Sequence, residues 1–239
     1  MSAFKVSVSP LKILIIAPSW VGDIVLAQSL FKTLRLQYVN AQIDVLAPEW
    51  NCQLLTMMPE VRQCIKMPIG HGELRLNKRI KIARSLKKEA YDWAIILPNS
   101  YKSALIPWLA KIPTRTGWRG EFRYGLLNDI RQPDSKIYPI TVKRYASLAF
   151  SSSVSFLGAL KKCPLPNPQL KVSTALVTAT MQAFHLKSNL PILALCPGAE
   201  FGQAKKWPSE YFQAVARQHI EDGGQVWLFG SKADRRICE

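Results

Sequence analysis

The sequence predicts an α/β fold in which parallel strands lie between layers of helices. Two short continuous apolar runs, KILIIAP (12–18) and DWAIILP (92–98), are typical of strands buried on both faces of a sheet. Each run is followed by a helical pattern, and this alternation indicates βαβ units. A proline-rich stretch, KKCPLPNPQLKVS (161–173), then interrupts the pattern before it starts again.

The first half of the chain predicts four strands and three helices. Ala27, Leu30, Phe31, Leu34 and Tyr38 recur at helical spacing, so they form one apolar stripe after the first strand. The strands are predicted over 12–18, 42–48, 61–67 (the weakest) and 92–98, and further helices over 73–90 and about 101–111.

The predicted helix 73–90 is strongly amphipathic. One face of its helical wheel is apolar and carries Leu76, Ile80, Ala83, Leu86 and Ala90. The opposite face is basic and carries Lys78, Lys81, Arg84 and Lys88.

The second half of the chain predicts a connection and the start of another α/β domain. We expect a helix over 173–186, a strand over 191–197, a helix over 209–224 and a strand over 225–231. The predicted domains are therefore 1–172, a connecting helix 173–187, and 188–239. Two strands and one helix are too few to form a stable sheet domain, so we expect the second domain to be truncated.

Charge and composition limit the classes of partner and of site. The net charge is +16, and residues 62–131 hold 15 Lys/Arg against 5 Asp/Glu, which gives +10 in that segment. Such a field attracts nucleic acid, anionic lipid or phosphorylated sugars. The five cysteines and three histidines show no zinc-ligand spacing, and the cysteine pattern favours a reducing compartment over a disulfide scaffold. We expect neither a signal peptide nor a membrane span, and hence a cytoplasmic protein.

The first candidate site is the loop PSWVGD (18–23), which follows the first strand and precedes the first helix. Ligands of parallel α/β sheets bind beyond the carboxyl ends of the strands, where this loop lies. Gly22 would allow close approach of a ligand or a positive φ. Asp23 could act as a general base on a hydroxyl group, or it could simply be the N-cap of the helix.

The second candidate site, CPGAEFGQAKKWP (196–208), again joins a strand to a helix. Lys205 and Lys206 precede the helix start, where a diphosphate would also meet backbone donors. The alternative is a solvated basic loop. Cys196 lies at the end of an apolar strand, and we expect it in the core rather than as a nucleophile.

The third candidate site, 99–129, mixes arginines and lysine with aromatic residues. Lys102, Arg115, Arg119 and Arg123 are candidates for contacts with phosphate or carboxylate oxygens. Trp118, Phe122 and Tyr124 could stack on sugars or bases, as aromatic residues of single-strand nucleic-acid binders do. The alternative is a half-buried loop in which most of these residues have structural roles.

Four stretches resemble the ADP-heptose:lipopolysaccharide heptosyltransferase family. They are KILIIAPSWVGDIVLAQSL, LPNSYKSAL, TGWRGEFRYGLLND and CPGAEFGQAKKWP, spread over residues 12–208. The resemblance implies the GT-B architecture, two Rossmann-like domains with the acceptor mainly on the first and the nucleotide sugar mainly on the second. It also implies transfer of L-glycero-D-manno-heptose from ADP-heptose to the heptose of the lipopolysaccharide inner core.

The resemblance assigns roles to particular residues. Asp23 matches the catalytic base of the family, and Lys205 matches a ligand of the donor diphosphate. The turn formed by Gly198, Ala199 and Glu200 is expected against the donor. Acceptor contacts are expected from Ser19, Trp20, Gly22, Lys102, Arg119 and Arg123.

A single displacement with one base implies inversion at the anomeric carbon. We predict no cofactor and no obligatory metal ion, because Lys205 and helix N-termini would oppose the charge growing on the leaving diphosphate. The expected acceptor is the phosphorylated inner core at the cytoplasmic face of the inner membrane, and no nucleic acid is expected. The alternatives are a truncated, non-catalytic glycosyltransferase-like fragment and a basic nucleic-acid-binding module.

Overall fold

The chain divides into two compact units, Met1–Lys171 and Val172–Glu239. A computed structural model describes residues 10–70, 72–151, 156, 158, 164–187, 189–199 and 203–238. The predicted three-part division of the chain stays a prediction.

The first unit contains a six-stranded parallel sheet in the order β3-β2-β1-β4-β5-β6. Its strands are β1 (Lys12–Ile16), β2 (Gln42–Ala47), β3 (Val61–Lys66), β4 (Trp93–Ile96), β5 (Thr114–Trp118) and β6 (Asp129–Arg131). This is the strand order of a doubly wound dinucleotide-binding fold. The predicted α/β class with parallel strands is therefore confirmed.

Helices cover both faces of this sheet. They are α1 (Val21–Gln37), α2 (Glu49–Thr56), α3 (Leu76–Lys88), α4 (Tyr101–Leu109) and α5 (Thr141–Ser147). One hydrophobic cluster joins the sheet to α1, α2 and the segment after α5, and a second joins it to α3 and α4. The strand residues alternate between the two clusters: Ile13 and Ile15 face the first, while Leu14 and Ile16 face the second.

Four elements of this unit were not predicted from the sequence, and one of them is helix α5. Helix α2 follows Pro48, and strands β5 and β6 lie within or at the end of the basic aromatic stretch 99–129. Strand β5 reads TRTGW and carries polar residues that are unusual in a buried strand. Thr116 is nevertheless fully buried, because its hydroxyl bonds to the Trp93 indole and to the Asp129 carboxylate, 2.8 Å each.

The predicted apolar face of α3 is partly confirmed. Ala83 and Leu86 are buried, as expected. Leu76 is 48% exposed, and Ala90 lies beyond the end of the helix with a positive φ of 51°. None of the helices in the described residues is long and apolar enough to cross a bilayer.

A disulfide joins Cys52 of α2 to Cys64 of β3, which differs from the expectation based on cysteine spacing. The two residues are 12 positions apart, but the chain reverses between α2 and β3 and brings their Cα atoms to 5.4 Å. Contact across a reversal cannot be read from spacing alone.

The second unit contains a two-stranded parallel sheet, β7 (Ile192–Leu195) and β8 (Gln225–Leu228). Its helices are α6 (Thr174–Ala183), α7 (Ser209–Glu221) and the short α8 (Arg235–Cys238). Helix α6 begins at Ser173, whose hydroxyl caps the amide of Leu176. The expectation that Cys196 is a core residue is wrong: β7 ends one residue earlier, and Cys196 is exposed.

Candidate active site

The first candidate loop lies at the point where the strand order of the sheet reverses. From β1 the chain goes first outward to β2 and β3 and later back to β4, on the other side of β1. The connections that leave β1 and β4 therefore diverge and leave a crevice beyond their carboxyl ends, where parallel sheets bind ligands. The loops that border it are the Pro18–Trp20 segment and the Pro98–Ser100 segment.

A cavity of about 390 Å³ lies in this crevice. Its lining includes the ends of β1 and β2 and the Pro98–Ser100 segment after β4, with Ser19 and Lys102 among the predicted acceptor residues. Trp20, Gly22 and Asp23 are not among the described residues that line it. The volume suits one or two sugar rings, since small-ligand sites are typically about 300–1,000 Å³.

Asp23 is the third residue of α1, not its N-cap. Trp20 occupies the cap position and its side chain makes no capping bond. The N-cap interpretation of Asp23 is therefore wrong, although a carboxylate in the first turn is still favoured by the helix dipole. The Asp23 side chain is half-buried, and it makes no hydrogen bond or ion pair with any residue that the structure describes.

The charge of Asp23 acts on Tyr145 of helix α5. Burial raises the pKa of Tyr145 to about 12, and the negative charge of Asp23 adds to that rise. Among the described residues, no donor is hydrogen-bonded to the Asp23 carboxylate.

Of the two predicted roles of Gly22, the positive φ is wrong, and close approach of a ligand stays a prediction. It is the second helical residue of α1, it has no positive φ, and it is exposed. A Cβ added there would meet no atom within 4 Å. The protein interior therefore does not require glycine at this position.

Helix α2 holds the first loop in place, a contribution that sequence reasoning missed. The Trp50 indole donates to the Ser19 carbonyl at 3.2 Å, and the Asn51 amide donates to the same oxygen at 2.9 Å. Asn51 is fully buried, so this contact is shielded from water. No motif marked Asn51, because its role depends on the parallel pairing of β1 and β2.

Arg123 lies inside the protein, which contradicts its predicted contact with the acceptor. It is 2% exposed, and its guanidinium donates to the Pro98 carbonyl at 2.7 Å, to the Ser103 hydroxyl at 3.3 Å and to the Trp118 carbonyl. Burial lowers the pKa of Arg123 to about 10, although Glu121 partly opposes this. Arg123 thus ties β4, α4 and β5 together, whereas Arg119 is exposed and remains available for a ligand.

Arg79 of α3 lines the cavity and was not predicted as a site residue. It is 5% exposed, and its guanidinium donates to the carbonyls of Glu73, Leu74 and Lys102. Burial lowers its pKa. Arg79 therefore fixes the amino end of α3 against α4 at the edge of the cavity.

In the second unit, the predicted donor turn packs against the loop after β8. A Cβ at Gly198 would lie 2.3 Å from the Asp234 carboxylate, so only glycine fits there without rearrangement. Ala199 is half-buried and Lys205 is exposed, while Glu200 lies outside the described residues. Lys206 lines a cavity of this unit together with Asp234, and its charge contributes to the lowered pKa of Asp234, after hydrogen bonds from Ser231.

Among the described residues, no group of three or more His, Cys, Asp or Glu side chains is arranged to hold a metal ion. The predicted independence from metal ions stays a prediction.

Comparison with known proteins identifies the family. The sequence profile of Glycosyltransferase family 9 (heptosyltransferase) matches residues 79–239. Lipopolysaccharide heptosyltransferase 2 of Escherichia coli K12 is 50% identical over 94% of the chain. Lipooligosaccharide heptosyltransferase 2 of Haemophilus influenzae is 47% identical over 96% of the chain. The chain spans 64% of the E. coli protein's length and 66% of the H. influenzae protein's length.

Solved structures agree with this result. The structure of E. coli ADP-heptose lipopolysaccharide heptosyltransferase II is 47% identical, with a TM-score of 0.88 over 95% of this chain and 66% of that one. A second E. coli heptosyltransferase, solved with ADP-2-deoxy-2-fluoro heptose, is 17% identical with a TM-score of 0.66 and shares the fold; the match covers 96% of this chain and 73% of that one. From the profile match over residues 79–239 and the relatives near 50% identity, the chain belongs to glycosyltransferase family 9, the heptosyltransferases.

Proposed function

We propose that this protein transfers L-glycero-D-manno-heptose from ADP-heptose to the heptose of the lipopolysaccharide inner core. The observation that carries the proposal is the position of Asp23, an unpaired and half-exposed carboxylate beyond β1 at the switch point of the sheet. Family membership and the names of the relatives support the reaction class and both substrates.

In the proposed mechanism, an acceptor hydroxyl attacks the anomeric carbon of the donor heptose while ADP leaves from the opposite face. Asp23 takes the hydroxyl proton as the new glycosidic bond forms. A single displacement of this kind inverts the anomeric configuration. Negative charge grows on the leaving diphosphate, where Lys205 and backbone amides would oppose it without a metal ion.

The cavity beside the first loop is the proposed acceptor subsite. Lys102 supplies a positive charge at its wall, and Ser19, whose backbone carbonyl is held by α2, supplies a hydroxyl group. An acceptor that carries phosphates and carboxylates fits this charge. We further propose that the enzyme works in the cytoplasm, at the inner face of the membrane that holds this glycolipid.

The test replaces Asp23 by Asn in the full-length protein and measures ADP release with heptose acceptor. We expect kcat to fall by about 10²-fold or more, because an amide cannot take the proton. The unfolding midpoint should fall only slightly, because Asp23 makes no hydrogen bond within the described structure and the variant loses only the interaction of its charge with the helix dipole, about 0.3–1 kcal/mol.

Binding of ADP-heptose to the Asp23→Asn variant is the control, measured by calorimetry, and it should match the unmodified protein. A variant that keeps its kcat would remove Asp23 from the role of base. Loss of donor binding together with kcat would instead assign Asp23 to the donor site.

A further inference from the structure

The outward face of helix α3 carries only positive charge. Its exposed side chains include Lys78, Lys81, Arg84 and Lys88, which fall within about 120° of the helical wheel, opposite the buried Ala83 and Leu86. The helix contains no Asp or Glu. In the part of the chain that the structure describes, none of these four cations forms a salt bridge.

The chemistry of the helix itself does not explain these charges. Lys78, Lys81 and Arg84 follow one another at spacings of three residues, where like charges repel. Lys78 also lies in the first turn, where the helix dipole disfavours a cation. Only Lys87 and Lys88, in the last turn, are favoured by the dipole. A row of mutually repelling cations is stabilised when an anionic surface covers it.

Exposed apolar side chains lie at the amino end of the same helix. Leu74 and Leu76 are 52% and 48% exposed, immediately before and at the start of α3. Trp50, which is 61% exposed, lines the cavity near this end. Leucine, tryptophan and a basic helix face are the combination that binds at the interface of a bilayer, where apolar groups enter between lipid headgroups.

The amino end of α3 is fixed at the edge of the cavity. Arg79 bonds to the carbonyls of Leu74 and Lys102, and both Arg79 and Lys102 line the cavity. Any surface that covers the amino end of α3 therefore comes close to the proposed acceptor subsite.

We propose that the outward face of α3, together with Leu74 and Leu76, is the surface by which this protein docks on a bilayer of anionic phospholipids. The proposal rests on the proposed function only in that a glycolipid acceptor would be held in that bilayer. The cations pair with lipid phosphates, and the two leucines enter the headgroup layer. Docking in this orientation brings the acceptor cavity to the membrane surface.

The test is sedimentation of the full-length protein with vesicles. The probes are vesicles of phosphatidylcholine alone and vesicles that contain 30% phosphatidylglycerol, each without any acceptor. We expect binding only to the anionic vesicles and weaker binding as salt rises. The variant K78Q/K81Q/R84Q/K88Q should bind about 100-fold more weakly, because each cation near the surface contributes several-fold. Glutamine is a good helix former, so α3 should remain folded.

A matched control has the same net charge. The variant K136Q/K171Q/K187Q/R217Q also removes four exposed cations from the formal charge of +16, but none from α3, and should keep its vesicle binding. L74A/L76A should lose binding at high salt more than at low salt, since it removes the apolar contribution. Equal losses in the two charge variants, or no loss in either, would overturn the proposal.

The readout separates this inference from the proposed function, because vesicle binding needs neither Asp23 nor turnover. A single-stranded oligonucleotide is the remaining comparison. If the α3 variant loses oligonucleotide binding while anionic vesicles bind the unmodified protein no better than neutral ones, the surface is a nucleic-acid site and the membrane proposal is wrong.

Discussion

Gly22 occupies a position at which the fold does not need a glycine. It is exposed, helical and free of contacts around its missing Cβ. Glycine inside a helix is less stable than alanine by roughly 0.5–1 kcal/mol, so the fold alone does not account for a glycine here. Its neighbour Asp23 suggests the use: a substrate that approaches the carboxylate passes next to residue 22.

We therefore predict that Gly22→Ala separates stability from activity. The unfolding free energy should stay the same or rise by up to about 1 kcal/mol, because alanine favours the helix. The KM for the acceptor should rise, since a methyl group enters the space of the substrate. Chemical denaturation and steady-state kinetics measure the two effects. An unchanged KM would show that the acceptor does not pass this residue.

Arginines 119 and 123 show that similar residues of one motif can have different roles. Arg119 is exposed, and its amide pairs with the Arg131 carbonyl through the β5–β6 ladder. Arg123 is buried and bonds to groups at the end of β4, in α4 and at the end of β5. The sequence shows two basic residues four positions apart, and only the return of the chain toward β4 distinguishes them.

At the scale of elements, the exposed Arg119 and the buried Arg123 should differ in what their replacement changes, stability or acceptor binding. Arg123→Met should cost about 2–3 kcal/mol of unfolding free energy, because it leaves buried carbonyl groups without a donor. Arg119→Ala should change stability by no more than about 0.5 kcal/mol, as surface substitutions do, but should raise the KM for the acceptor. Denaturant titration together with kinetics measures both. The reverse pattern, a stable Arg123 variant with a raised KM, would restore Arg123 as an acceptor ligand.

Helix α2 and strand β5 also show how elements position a site that they do not form. Asn51 and Trp50 of α2 hold the carbonyl of Ser19, and Arg123 ties the Trp118 carbonyl at the end of β5 to the Pro98 carbonyl after β4. Neither element has a clear apolar pattern, because α2 is short and β5 buries Thr116, whose hydroxyl bonds to side chains of the neighbouring strands β4 and β6.

At the scale of the whole molecule, a buried acid on strand β2 joins that strand to β3 and to the segment between α3 and β4. Asp44 of β2 is fully buried and accepts hydrogen bonds from Arg62, Gln63 and Tyr91. Burial alone would raise the pKa of Asp44, but the bonds from Arg62, Tyr91 and Gln63 outweigh it, and the pKa lies below its usual value. Burial raises the pKa of Tyr91, and its hydrogen bond to Asp44 raises that pKa further.

This network predicts an acid-dependent loss of stability. A carboxyl whose pKa is lowered on folding stabilises the protein above its unfolded pKa of about 3.9, and this contribution disappears as pH falls through the folded value. Asp44→Asn should lower the free energy of unfolding by about 2–3 kcal/mol at pH 7. The loss is smaller than for a fully buried ion pair, because Arg62 is partly exposed. Because the variant lacks this carboxyl, its free energy of unfolding should fall less between pH 5 and pH 3 than that of the unmodified protein. Equal acid dependence in the two proteins, measured by urea titration, would exclude Asp44 as its source.

The sequence by itself determined the α/β class, the order of most strands and helices, and the junction of β1 with α1 that carries Asp23. These follow from local features, namely apolar runs, helical periodicity and the short connection after β1. The tertiary structure decided that Asp23 is not a cap, that Arg123 is internal, that Cys52 meets Cys64, and that Arg79 and Asn51 support the site. Those outcomes depend on which strands pair and on how burial is distributed between neighbours. They are set by residues far apart in the chain, which leave no periodic signal in the sequence.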